Sequence, residues 1–223
     1  MNWAALGDVL PQALAMALSP IPIVLVILVL VSPRARTCGP AFAAGWLAGL
    51  FTLTALAFAM ADGADVATDS AATDGANLVQ VALGLLFLVF AAKQWQKRPR
   101  PDDEPATPKL VGAIDSMPPL KVLGVGFVSA ALNPKNLPLG ISAGVTIAQA
   151  SPSTGIVTVA AFAVVGSAAV LAAVASVLVL GERTREPLEQ LKTWLLTNSA
   201  TIMMIIFILL AAKMIGSGLA LAS

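Results

Sequence analysis

Two hydrophobic segments of this chain are broken near their centres by proline, and in the same way. "ALSPIPIVL" occupies residues 17–25 and "ALNPKNLPL" residues 131–139, each inside a longer apolar run. Proline has no N–H, and its ring clashes with the carbonyl four residues back. Pro20 and Pro22 are expected to free the carbonyls of Met16 and Leu18, and Pro134 and Pro138 those of Ala130 and Pro134. Unpaired carbonyls cannot face lipid, so in a bilayer these breaks must be buried in protein or line a wet cavity.

Composition supplies the bilayer. Of 223 residues, 58% are hydrophobic and 11% charged, too little charge to cover a soluble domain of this size. Apolar runs longer than about 18 residues recur, as transmembrane helices require. They are continuous rather than alternating, unlike the strands of an outer-membrane barrel. The reading is an all-α membrane protein with six spans near residues 8–31, 39–61, 76–95, 119–148, 153–180 and 194–218. The first and fourth are the proline-broken ones. "MNWAALGDVL" lacks the basic start of a cleaved signal peptide, and Trp3 reads as an interfacial anchor.

The connections sort by charge. The 32–38 turn carries Arg34 and Arg36, and the 96–118 linker carries Lys97, Arg98, Arg100 and Lys109, with Lys121 just beyond. The 181–193 segment, read as a short interfacial helix, carries Arg183, Arg185 and Lys192. On the opposite side of a six-span chain lie the 62–75 loop, with Asp62, Asp65, Asp69 and Asp74, and the uncharged 149–152 turn. Basic loops stay in the cytoplasm, so the expectation is a multi-pass protein of the cytoplasmic membrane with both termini outside. The linker, rich in proline and charge, reads as a tether between two halves.

Those halves are related. Ala17, Leu18 and Pro20 recur as Ala131, Leu132 and Pro134, with Ser19 facing Asn133. "LFLVFAAKQW" (86–95) lies over "IFILLAAKMI" (206–215), aligning Phe87, Ala91, Ala92 and Lys93 with Phe207, Ala211, Ala212 and Lys213. The expected division is a first three-helix repeat at 1–95, the linker at 96–118 and a second repeat at 119–223. Three helices per repeat invert the second half, the plan of many secondary transporters, in which corresponding breaks point to the binding site.

Lys135 is the one charge placed deep in this scheme. A central lysine costs about 2.5–3.5 kcal/mol on insertion scales and is a functional candidate by default. Ser19, Asn133 and Asn136 add polar groups at the same depth. Together with Pro20, Pro22 and Pro134 they form the candidate substrate and translocation site, and Lys135 is also the proton-coupling candidate. A structural alternative is that Lys135 caps freed carbonyls and pins the first and fourth spans together. Lys93 and Lys213, at span ends, read as snorkelling side chains. Gly45–Gly49 and Gly140–Gly144 are GxxxG pairs that permit close helix packing. The acidic 62–75 loop lacks the spacing of a calcium loop.

The run "ALSPIPIVLVILVLVSPRARTCGPAFAAGW", followed by "LNPKNLPL", resembles the actinobacterial GAP family of peptidoglycolipid- or sulfolipid-addressing proteins, within the lysine exporter superfamily. The likeness covers essentially the whole chain, including both AAK ends. It implies a six-helix inverted-repeat exporter that moves glycolipids toward the envelope. By position its motif residues are Ser19, Pro20, Ile21 and Pro22, then Asn133, Pro134, Lys135 and Asn136. Related superfamily members export amino acids or metal cations, or carry reducing equivalents through paired intramembrane cysteines. Cys38 is the single cysteine and histidine is absent, so the thiol route is excluded and a metal pathway disfavoured. An amino acid or another small anionic solute is the alternative substrate.

The expected partners are membrane lipids and a small-molecule or lipid substrate, with no nucleic acid and no cofactor. Homodimerisation is compatible with a small six-helix carrier. A Ser19–Lys135 acyl-transfer dyad is the enzymatic alternative, set aside because no oxyanion site is legible. A non-transporting adaptor of an export machine would have no use for polar breaks at mid-membrane.

Overall fold

In the computed structural model, which describes residues 3–63, 70–96, 117–150 and 155–220, the chain is helical throughout, with short connections and no strand among those residues. The first broken segment is α1 (Trp3–Ala17) and α2 (Pro20–Leu30), followed by α3 (Ala35–Gly63) and α4 (Ser70–Gln96). The second broken segment is α5 (Pro119–Ala131) and α6 (Asn136–Ala150). Then come α7 (Gly155–Gly166), α8 (Ala168–Leu180), a 3₁₀ turn at Gly181–Thr184 and the long α9 (Arg185–Ala220). Residues 97–116 of the linker, 64–69 of the acidic 62–75 loop and 151–152 of the 149–152 turn lie outside the described residues, and the loop's flanks, 62–63 and 70–75, are instead helical ends of α3 and α4.

Both proline motifs open a half-helix. Pro20 and Pro22 sit in the first turn of α2, where no N–H is needed. The break therefore falls at Leu18–Ser19, one step before the prolines, and α1 and α2 meet at 53°. In the second copy α5 ends at Ala131 and α6 begins at Asn136, with Pro138 in its first turn.

Helix length and composition alone pick out two or three of the expected spans among the described residues. Two stretches, Ala35–Asp62 and Ala168–Gly216, are long and apolar enough to cross a membrane, and α1 with α2 makes a third if the bent pair is one span. Others are divided: Pro134 separates α5 from α6, and Ser167 separates α7 from α8. The short interfacial helix expected at 181–193 is instead the 3₁₀ turn Gly181–Thr184 followed by the first turns of α9 from Arg185. Pro187 falls in its first turn, where proline is tolerated, so nothing divides the charged entry from the apolar body.

The α3 helix is the hub, packed along both α5 and α6, while α4 lies along α9. The α1 helix meets α6 and α7, and α2 meets α3, α8 and α9. Glycine permits the closest of these approaches. A Cβ on Gly49 would stand 2.6 Å from the Phe127 carbonyl oxygen of α5, and one on Gly144 2.7 Å from the Thr54 carbonyl oxygen of α3. Both GxxxG pairs thus bring backbone onto backbone at α3.

Candidate functional site

The break between α1 and α2 leaves one carbonyl for a distant partner. In a continuous helix Ser19 N–H would bond to Ala15, but it turns back to the Met16 oxygen at 3.2 Å. The freed oxygen is therefore that of Ala15, not Met16 as expected from the proline positions. Lys135 fills it, its Nζ donating to the Ala15 oxygen at 2.8 Å. The ammonium group is otherwise enclosed, since Lys135 is 7% exposed.

The second break is closed by its own asparagines. The Asn133 Oδ1 accepts the Lys135 backbone N–H at 3.0 Å, an N-cap in form. The Asn133 carbonyl accepts from Asn136 N–H at 2.8 Å and Leu137 N–H at 3.0 Å. Asn136 Nδ2 then donates to the Ala130 carbonyl at 3.0 Å, one of the groups that Pro134 was expected to free. Asn136 Oδ1 is buried without a partner among the described residues.

Both breaks open into one cavity of about 360 Å³. From the breaks come Ser19, Ile21, Asn133, Pro134 and Lys135. The opposite wall is Phe90, Lys93 and Gln94 of α4 with Met203 and Phe207 of α9. Of the residues singled out from sequence, Pro20, Pro22 and Asn136 do not line it. The prolines are buried in α2, and Asn136 is fully enclosed behind Lys135. The α4 and α9 contributors escaped sequence reasoning, because a phenylalanine or methionine lining a cavity reads the same as one facing lipid. Lys93 is legible only through its repeat partner, Lys213.

One residue of the aromatic wall, Phe207, packs against its repeat mate. Phe87 and Phe207 stack with centroids 5.8 Å apart and planes at 22°, and Phe90 meets Phe207 at 5.6 Å. The two equivalent lysines are used differently. Lys93 lines the cavity, whereas Lys213 donates to the Asp8 carbonyl and to Gln12 Oε1 at 3.0 Å, tying α9 to α1.

A cationic, hydrogen-bonding corner facing an aromatic wall suits an amphiphilic anion. Such a ligand would meet Lys135 and Lys93 with its charge and the phenylalanines with its apolar part. Ser19 makes no side-chain capping bond to α2.

The family model described as Sap, sulfolipid-1-addressing protein, matches residues 9–220. No curated protein and no solved structure matches the chain.

Proposed function

The chain belongs to the family of Sap, the sulfolipid-1-addressing protein, and from that premise we propose that it is an integral membrane exporter carrying an anionic amphiphile out of the cytoplasmic membrane. The observation that carries the reading is the single cavity lined by both proline breaks, with Lys135 spanning from one break to the other. A scaffold gains nothing from a buried ammonium and two interrupted helices, each costly in lipid.

The architecture we propose is two inverted three-helix halves, 1–95 and 119–223, joined by the 96–118 linker, giving six membrane passes with the half-helices counted in pairs. Three observations support it. Matched Phe87 and Phe207 meet face to face where α4 lies along α9. The turn bond from Ile23 N–H to the Ser19 carbonyl recurs as that from Leu137 N–H to Asn133. As α3 packs on α5 and α6, so α7 packs on α1 and α8 on α2. Rocking one half against the other would expose the cavity to each side in turn. The basic loops favour a cytoplasmic placement for their side. Membership of the lysine exporter superfamily is part of the same proposal.

Size favours keeping a second substrate reading. A cavity of about 360 Å³ holds a headgroup or an amino acid, not the acyl chains of a whole lipid. If the cargo is a lipid, its chains must stay in the bilayer while the headgroup crosses. The reading is non-enzymatic, since the Lys135 ammonium is engaged by a carbonyl oxygen rather than by Ser19.

The test compares outer-envelope lipids and amino-acid efflux in cells with the wild-type protein, without it, and with Lys135→Met. Loss of one anionic glycolipid class from the outer fraction in both deficient strains is the expected result. Changed amino-acid efflux with unchanged lipids would instead assign the small-solute reading. No change in either would overturn export.

A further inference from the structure

A second cavity, about 680 Å³, lies between the α2–α3 turn and the start of α9, apart from the cavity at the proline breaks. Its wall is apolar where it meets the membrane-embedded ends, at Leu28 of α2 and Leu188 of α9. Its rim is charged, with Arg36, Arg185 and Lys192 set against Glu182 and Glu189.

The charges are not equally committed. Lys192 is paired with Glu189 one turn away. Arg185 meets Glu182 only at 3.9 Å, with both side chains largely in solvent, a pair of little strength. Arg36 has no ion pair among the described residues. Two guanidinium groups are therefore available on one rim, each able to grip a tetrahedral or planar oxyanion through two parallel hydrogen bonds.

The backbone around the cavity is already hydrogen-bonded. The 3₁₀ turn Gly181–Thr184 runs straight into α9, and Arg185 N–H bonds to the Glu182 carbonyl, so the anion's partners are the side chains. The C-terminal end of α2 is likewise satisfied. Val31 N–H bonds to the Ile27 carbonyl, while Ser32 donates to the Val29 oxygen through both its backbone N–H and its hydroxyl, the latter at 2.7 Å.

We infer that this cavity is a second binding site, for the oxyanion headgroup of a membrane amphiphile, with Arg36 and Arg185 as its ligands and the Leu28–Leu188 wall against the upper acyl chain. Its size suits a headgroup with the first carbons of a chain. The same oxyanion chemistry is offered by free phosphate, and the experiment separates the two sources.

The full-length protein in neutral phosphatidylcholine nanodiscs is titrated with phosphatidylglycerol in one arm and with inorganic phosphate in the other. Retained lipid is read by native mass spectrometry and phosphate by isothermal titration. The wild type should retain phosphatidylglycerol about tenfold more tightly than the Arg36→Gln, Arg185→Gln double variant. Both positions are exposed, so folding should be unaffected, with circular dichroism as the check. Glu182→Gln, which frees Arg185, should strengthen retention, and Lys121→Gln, an exposed cation that lines neither cavity, should leave it unchanged. Arginine-dependent binding of phosphate with no lipid preference would keep the oxyanion site and assign it to a soluble anion. Retention of both probes indifferent to Arg36, Arg185 and Glu182 would overturn the site.

Discussion

Lys135 Nζ donates to the backbone oxygen of Ala15 at 2.8 Å, a bond from the break in one apolar segment to the break in another. It places one side chain at both features at once. The ammonium satisfies a carbonyl that the helix ladder abandons, and it lines the cavity that both breaks share.

Replacing Lys135 by Met should therefore have two separable effects. Losing the bond leaves the Ala15 oxygen unpaired and should cost about 1–3 kcal/mol, read as a lowered melting temperature in detergent. Losing the charge should abolish export. Lys135→Arg retains a donor but not the compact ammonium geometry, and should recover stability more fully than transport.

Asn136 lies off the cavity lining and closes the second break. It is enclosed behind the cavity and donates to the Ala130 oxygen. Asn136→Ala should cost about 1–3 kcal/mol in thermal unfolding, with export by the surviving folded fraction preserved per molecule.

Two neighbouring glycines of α5 should respond in opposite ways. A Cβ on Gly126 would run into the Phe42 carbonyl and stand 3.0 Å from the Trp46 backbone nitrogen of α3, whereas nothing lies within 4 Å of one on Gly124. Gly126→Ala should destabilise by about 1–3 kcal/mol. Gly124→Ala should be neutral or slightly stabilising, since alanine is the better helix former. Paired thermal melts read the contrast.

The Phe87–Phe207 stack should register as direct coupling between α4 and α9. A double-mutant cycle with leucine at each position should return about 0.5–1.5 kcal/mol of interaction. A coupling near zero would mean that the rings merely share a greasy surface.

What the sequence made legible was the unusual against a uniform background. Proline and lysine are rare in apolar runs, so Pro20, Pro134 and Lys135 announced the two breaks, and the shared AAK ends aligned α4 with α9. Less legible was anything that depends on which way an apolar side chain faces. Phe90, Met203 and Phe207 line the cavity, but their sequence surroundings match those of lipid-facing residues. The identity of the freed carbonyl also escaped. Pro20 points to Met16 by the four-residue rule, yet the chain breaks earlier, at Leu18–Ser19, and releases Ala15 instead. The interruption at Ser167 escaped for a related reason: continuous apolar character does not reveal that the helix breaks between α7 and α8.

The central claim is that the cavity joining the two breaks carries an anionic headgroup across the membrane, and that Lys135 makes this possible. Its most direct measurement is the transfer of a headgroup-labelled sulfated glycolipid between leaflets of proteoliposomes, wild type against Lys135→Met at equal folded protein. The account predicts protein-dependent transfer by the wild type, reduced at least about tenfold in the variant, as loss of a charge-assisted contact implies. Equal transfer by the two proteins, or none above protein-free vesicles, would contradict it.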